Sequence, residues 1–276
     1  MTRMKTLSIV LALAMVATVA GAESKTTMQI EGSTTVGPIA DAFAEAFMDE
    51  HDDVKVTVKK TGSGDGVAAL IDDRCDIATA SRFMKEGEFK KAIDNKVLPV
   101  AHVVAMDGVC VVLNNRNNVN ALTTEQIRNI YLGKFTNWKQ VGGPDLKIIA
   151  ISRDTSSGTF ETFHNLVMNK EKMHSSVETV ASNPACHARV TSTAGAIAYV
   201  GLGFVDSKVK AVKVDGVMPN RRTVASGKFP IARPLFMFTN GYPKLGSLIH
   251  EFVTYHLTEK GQEIITAKGF VPLTNY

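Results

Sequence analysis

Short runs rich in β-branched residues alternate with stretches of helical period along nearly the whole chain, and that alternation confines it to the α/β class. Met28 to Glu31 reads as a brief strand, after which Val36, Ile39, Ala40, Phe43 and Phe47 recur at helical spacing. Val54 to Val58 alternates as a strand, Val67 to Ile71 follows as an amphipathic helix, and Asp76 to Thr79 is a short buried strand. Val97 to Val104 and Val109 to Leu113 read as two further strands, Glu125 to Tyr131 as a short helix, and Ile148 to Ile151 as a strand before a helix carrying Phe160, Phe163 and Val167. Ala196 to Val200, Val209 to Val214 and Leu235 to Phe238 complete the strands, and Leu245, Leu248, Ile249, Phe252 and Val253 mark a terminal helix. Asn114 to Asn120 and Asn137 to Asp145, rich in Asn, Gly and Pro, read as loops. Neither is long or simple enough to join independently folding domains. The length of 276 residues predicts two lobes, and lobes without a linker share connecting strands and enclose a cleft. No repeat of solenoid or propeller period is present.

The first residues read as a targeting device. Arg3 and Lys5 form a basic leader, Leu7 to Ala20 is an uncharged run, and Ala20-Gly21-Ala22 offers small residues around a cleavage point, so residues 1–22 are expected to be a signal peptide. No later segment approaches the roughly 20 apolar residues that a bilayer crossing needs. A periplasmic location is the expectation, and without a Cys near the end of the leader a lipid anchor is not supported. The formal charge is +4, and losing Arg3 and Lys5 with the leader lowers it by two, which is too weak for a nucleic-acid binder. Cys75, Cys110 and Cys186 make an odd set for an oxidising compartment, either three buried thiols or one disulfide and one orphan.

The chemistry sits in three turns of one kind. Gly32-Ser33-Thr34-Thr35, Thr61-Gly62-Ser63-Gly64-Asp65-Gly66 and Ser156-Ser157-Gly158-Thr159 each lie where a strand ends and a helix begins. The first turn of a helix has unpaired N–H groups and the positive end of the macrodipole, hydroxyls add donors, and glycine lets a ligand approach the backbone. Such turns also serve as ordinary helix caps, but three of them can surround a tetrahedral anion. Arg153, at the end of a strand just before the third turn, adds a guanidinium that forks onto two oxygens. Ser81 and Arg82, after the strand at Asp76 to Thr79, supply a second hydroxyl and a second guanidinium.

The order and spacing of these motifs, together with Gly133, Asn137-Trp138, Val141-Gly142-Gly143 and Ala196-Ile197-Ala198-Tyr199-Val200, resemble the phosphate-binding proteins of ABC importers. The resemblance implies a type II periplasmic-binding-protein fold of two α/β lobes joined by two crossover strands around an interlobe cleft. It places lobe I at residues 23–106 and 233–276 and lobe II at 107–232, with crossings near Met106-Asp107 and Ala232-Arg233. It also implies that Thr34, Thr35, Ser63, Arg153, Ser157, Gly158 and Thr159 hold the anion, with Ser33, Ser81 and Arg82 as additions. Inorganic phosphate and a membrane permease are the implied partners, with no cofactor and no metal, and a monomer is expected. Arg82 stands where well-known members of the family carry an acidic residue that accepts the proton of hydrogen phosphate, which either leaves that part to Asp65 or Asp154 or favours a more fully ionised phosphate.

Other chemistries fit less well. Ser157 lacks a G-x-S-x-G context, Gly62, Gly64 and Gly66 are not spaced as a dinucleotide loop, and the histidines contain no HExxH. The alternatives to a phosphate receptor are a receptor for sulfate or molybdate and, further off, a secreted phosphatase.

Overall fold

The computed structural model describes residues 26–274; the expected leader at residues 1–22 lies outside them. Strand β1 (Thr26–Gly32) leads into helix α1 (Gly37–Glu50), β2 (Val54–Lys59) into α2 (Ser63–Ile71) and β3 (Ile77–Ala80) into α3 (Glu86–Asp94). The long strand β4 (Pro99–Asn114) is followed by β5 (Ala121–Leu122), α4 (Thr124–Tyr131), β6 (Ile149–Arg153) and α5 (Gly158–Leu166). Then come β7 (Glu178–Val180), α6 (Asn183–Ser192), β8 (Ala196–Gly201), β9 (Val209–Ala211), β10 (Lys213–Val214), α7 (Arg221–Ala225), β11 (Ala232–Asn240), α8 (Leu248–Thr254) and α9 (Glu259–Ala267).

One mixed sheet runs through the molecule in the order β2-β1-β3-β11-β4-β8-β6-β7, with β9 beside β4. Its flanks are parallel: β1 pairs with β2 and β3, and β6 pairs with β7 and β8. Its centre is antiparallel, where β4 runs against β11 with Asp107 opposite Arg233, and β4 then exchanges that partner for β8 from Val109 onward. The apolar clusters sort about that exchange. Two are built from residues up to Ala105 and from Leu235 onward, with α1 burying Ile39, Ala40, Phe43 and Phe47 against Phe252. Two are built from residues between Val109 and Ile231, joined by Val271, around Tyr131, Trp138, Phe163 and Tyr199 on one face and Cys110, Cys186 and Val190 on the other. Each large side chain so buried stabilises by about 1.5–3 kcal/mol.

The structure departs from the periodicity reading in particular places. Val97 to Val104 and Val109 to Leu113 belong to one strand, β4. The buried charge of Asp107 interrupts the apolar pattern between them, and its pairing with Arg233, with the Leu202 N–H at 2.8 Å, makes that charge tolerable. Val209 to Val214 divides into β9 and β10, which pair with β4 and β5 respectively. The terminal helix begins at Leu248, capped by Ser247, which leaves Leu245 82% exposed; the chain then turns at Tyr255–Leu257 and continues as α9 under a Thr258 cap. Helix α3 escaped periodicity because it buries only Ala92, and α6 because its buried set begins with a polar residue, Asn183. Trp138 anchors its loop, as a packing residue should, by donating from Nε1 to the Gly195 carbonyl at 2.9 Å. All three cysteines are buried free thiols, and burial raises Cys75 and Cys186 to about 12, far from thiolate chemistry.

Candidate anion-binding site

The first turn is held by backbone contact that only glycine permits. Gly32 ends β1 with φ at +138°, and a Cβ there would lie 2.1 Å from the Thr79 carbonyl oxygen of β3. Ser33 then donates its N–H to that carbonyl at 2.9 Å, and its Oγ accepts from the N–H groups of Thr35 at 3.1 Å and Val36 at 3.3 Å. The second turn hangs on the first, since Gly62 donates to the Gly32 carbonyl at 2.8 Å. Ser63, at the start of α2, accepts from the Ser81 N–H at 3.1 Å and faces the Ser81 hydroxyl at 3.3 Å. In the third turn Ser157 caps α5 by accepting from Phe160 N–H at 3.2 Å.

These turns lie far apart in sequence and meet in space. The hydroxyls of Thr35 and Thr159 are 2.9 Å apart, Gly64 donates to the Ser156 carbonyl at 2.8 Å, and a Cβ on Gly158 would lie 2.6 Å from both the Ser63 and Ser81 hydroxyls. Ser33, Thr34, Thr35, Ser63, Ser81, Ser157 and Thr159 are all buried. The first residues of α5 by position lack intrahelical acceptors for their N–H groups, and they face hydroxyls from the other flank of the sheet.

Arg153 closes this group from the end of β6. It is 3% exposed, its backbone N–H donates to the Tyr199 hydroxyl at 3.2 Å, and its Nη2 donates to Thr34 Oγ1 at 3.2 Å and to the Ala181 carbonyl at 2.8 Å. Its Nε and Nη1 are buried with no partner among the described residues. Burial pulls its pKa below the usual arginine range, yet a guanidinium keeps its charge in proteins. Asp154, the neighbour best placed in sequence to neutralise it, instead accepts from Ser156 N–H at 2.9 Å and Ser156 Oγ at 2.6 Å. A buried cation with unused donors among hydroxyls and helix starts is an anion-seeking arrangement.

Arg82 is placed beside this group but faces carboxylates. Its Nη1 and Nη2 fork onto Glu88 at 2.8 and 2.6 Å, and its Nε lies 3.1 Å from Glu161 Oε2 in α5, which Lys85 also reaches at 2.8 Å. The neighbour that donates least ambiguously to the hydroxyls is one the sequence reading missed. Asn183, fully buried at the start of α6, donates from Nδ2 to Thr34 Oγ1 at 3.2 Å and Thr35 Oγ1 at 2.9 Å. Arg233 and Asp107 were read as markers of a crossing only. In the structure Arg233 forks onto Asp107 at 2.8 and 3.1 Å and donates from Nη2 to Thr159 Oγ1 at 3.0 Å. Burial pushes the Asp107 carboxyl up, and Arg233 with the N–H groups of Leu202 and Gly108 pulls it back.

Comparison with known proteins shows the family. A model of the PBP superfamily domain matches residues 17–260. The phosphate-binding protein PstS of Bacillus subtilis (strain 168) is 33% identical over 250 residues, covering 90% of this chain and 81% of that protein. The chain belongs to the phosphate-binding-protein family of the PBP superfamily. PstS of Staphylococcus aureus (strain USA300) is 34% identical over 244 residues, 84% of this chain and 74% of its own. Among solved structures, a putative phosphate ABC transporter substrate-binding protein from Clostridium perfringens with bound phosphate superposes with a TM-score of 0.83 at 30% identity, covering 90% of this chain and 99% of that one. An ABC-type phosphate transport receptor from Vibrio cholerae gives a TM-score of 0.72 at 31% identity over 88% and 99%. Among the described residues no helix is long and apolar enough to cross a membrane.

Proposed function

We propose that this protein is the substrate-binding component of an ABC importer, which captures inorganic phosphate and delivers it to a membrane permease without catalysing a reaction. The observation that carries the reading is Arg153, a buried guanidinium with two unused nitrogens beside the Thr34 hydroxyl and the other turns. A tetrahedral anion supplies the countercharge and the acceptors together. The binding residues on this reading are Ser33, Thr34, Thr35, Ser63, Arg153, Ser157, Gly158 and Thr159, with Ser81 behind Ser63. Arg82 serves as the cation that ties α3 to Glu161 of α5.

Lobe I comprises residues 23–106 and 233–276 and lobe II residues 107–232, so that the Asp107–Arg233 pair lies at the crossing and the phosphate bridges the lobes. Phosphate makes contacts from both sides only when they approach, which favours the approached state by differential contact. A periplasmic, monomeric receptor fits this task. Calorimetric titration with phosphate, sulfate and molybdate tests the reading. Phosphate is expected to bind more tightly than either rival, and sulfate binding as tightly as phosphate would overturn the assignment of substrate.

A further inference from the structure

The Thr34 hydroxyl has a fixed polarity, and Asn183 and Arg153 set it together. A threonine hydroxyl has one hydrogen and two acceptor positions. The amide of Asn183 is oriented without ambiguity, because its Oδ1 accepts from the Gly201 backbone N–H at 3.2 Å, a group that can only donate. Its Nδ2 therefore faces Thr34 and Thr35 and donates to both, at 3.2 and 2.9 Å.

Thr34 Oγ1 also accepts from Arg153 Nη2 at 3.2 Å, so both of its acceptor positions are occupied and its hydrogen points elsewhere. Thr35 Oγ1 accepts from Asn183 and lies 2.9 Å from Thr159 Oγ1, but the two hydrogens of Arg233 Nη2 go to Asp107 Oδ2 at 2.8 Å and Thr159 Oγ1 at 3.0 Å, so the Thr35–Thr159 bond can run in either direction. Ser33 Oγ, like Thr34 Oγ1, is saturated, here by the N–H groups of Thr35 and Val36.

We infer that Asn183 is a positioning residue which, with Arg153 beside it, turns Thr34 into a hydroxyl that donates and does not accept, so that the site selects an anion presenting an acceptor oxygen to it. The inference rests on the proposed phosphate reading. Hydroxyls free to rotate would bind neutral and protonated ligands about as well, whereas hydroxyls locked as donors favour ionised oxygens before any ligand arrives. The directions of the Ser63–Ser81 pair, at 3.3 Å, and of the Thr35–Thr159 pair are not set in this way, and there a proton on the anion finds an acceptor.

The test is a double-mutant cycle read by calorimetric titration with inorganic phosphate, with melting of the phosphate-free variants as the check on folding. Asn183→Leu removes the donor, and a loss of about 10-fold in affinity is expected. In a Thr34→Val background the same change is expected to cost under about threefold, because part of what Asn183 orients is already gone. Asn183→Asp keeps the acceptor for Gly201 and the shape but reverses the polarity. It serves if the leucine variant does not fold, with a larger loss expected that again shrinks in the Thr34→Val background. Equal fold-losses in the two backgrounds, or affinity within about twofold of the unmodified chain in either Asn183 variant, would overturn the inference. An unmodified chain that does not bind phosphate would instead overturn the reading on which it rests.

Discussion

At the scale of single residues, what distinguishes the site is charge taken out of water without a built-in partner. Arg153 lacks a carboxylate, and its Nε and Nη1 lack any acceptor among the described residues, so the anion-free protein bears the desolvation cost of a cation. Arg153→Met is accordingly expected to act in opposite directions on two measurements. Phosphate affinity should fall by about 100-fold or more, as loss of a bidentate charged contact demands, while the melting temperature without phosphate rises. A variant that loses both binding and stability would contradict this account. Asp107 and Arg233 are the contrasting case, a buried pair with both partners present at 2.8 Å. Asp107→Ala strands the guanidinium, and denaturant unfolding should show a loss of about 3–5 kcal/mol. The two arginines are alike in burial, and a carboxylate across the strand ladder partners Arg233 but not Arg153, the difference on which the binding role proposed for Arg153 rests.

At the scale of elements, the local signals that start and stop helices are mostly honoured. Ser157, Ser182, Ser247 and Thr258 each accept from a backbone N–H of the helix they begin, worth about 1 kcal/mol apiece. The joint between α8 and α9 also holds a titratable group. His256 is buried, with its Nδ1 on the Val253 carbonyl at 2.8 Å, and burial lowers its pKa from the ordinary 6.5. His102 on β4 is lowered in the same direction, also chiefly by burial. The unfolded chain takes up protons on these imidazoles below about pH 6.5 that the folded chain resists, so the stability they confer is complete above that pH and is lost as pH falls through the window beneath it. Urea midpoints in phosphate-free buffer should decline between about pH 7 and pH 5, and His256→Gln should flatten part of that decline. An unchanged slope in the variant would place the effect elsewhere.

At the scale of the whole molecule, two flanks of one sheet are held against each other by polar contacts across the site, Arg153 and Asn183 on Thr34 and Thr35 among them. Besides Thr35 with Thr159 and Gly64 with Ser156, the carboxylate of Glu161 receives Arg82 and Lys85 from the opposite flank. Glu161→Gln removes the charge these cations share. If the flanks approach and separate as the proposed function requires, the variant should show a larger radius of gyration without phosphate and an affinity lower by about threefold or more. Addition of phosphate should compact both proteins in small-angle scattering. Scattering curves indifferent to phosphate in the unmodified protein would argue against closure about the crossing strands.

The sequence by itself determined the α/β class, the three turns and Arg153, because each depends on residues adjacent in the chain. A glycine that allows close approach, a hydroxyl that caps a helix and a guanidinium at a strand end are all local chemistry. Phe160 and Phe163 announced α5 for the same reason. The tertiary structure alone decided which donors are spent and which remain. Arg82 and Arg153 look equivalent as residues following strands, yet Arg82 meets Glu88 and Glu161 while Arg153 meets Thr34 and the Ala181 carbonyl. Asn183 was invisible because nothing near it in the chain hints that Thr34 and Thr35 will lie within 3.2 Å. Hydrogen-bond satisfaction is a property of atoms brought together from distant parts of the chain, and it is settled only when the sheet fixes their register.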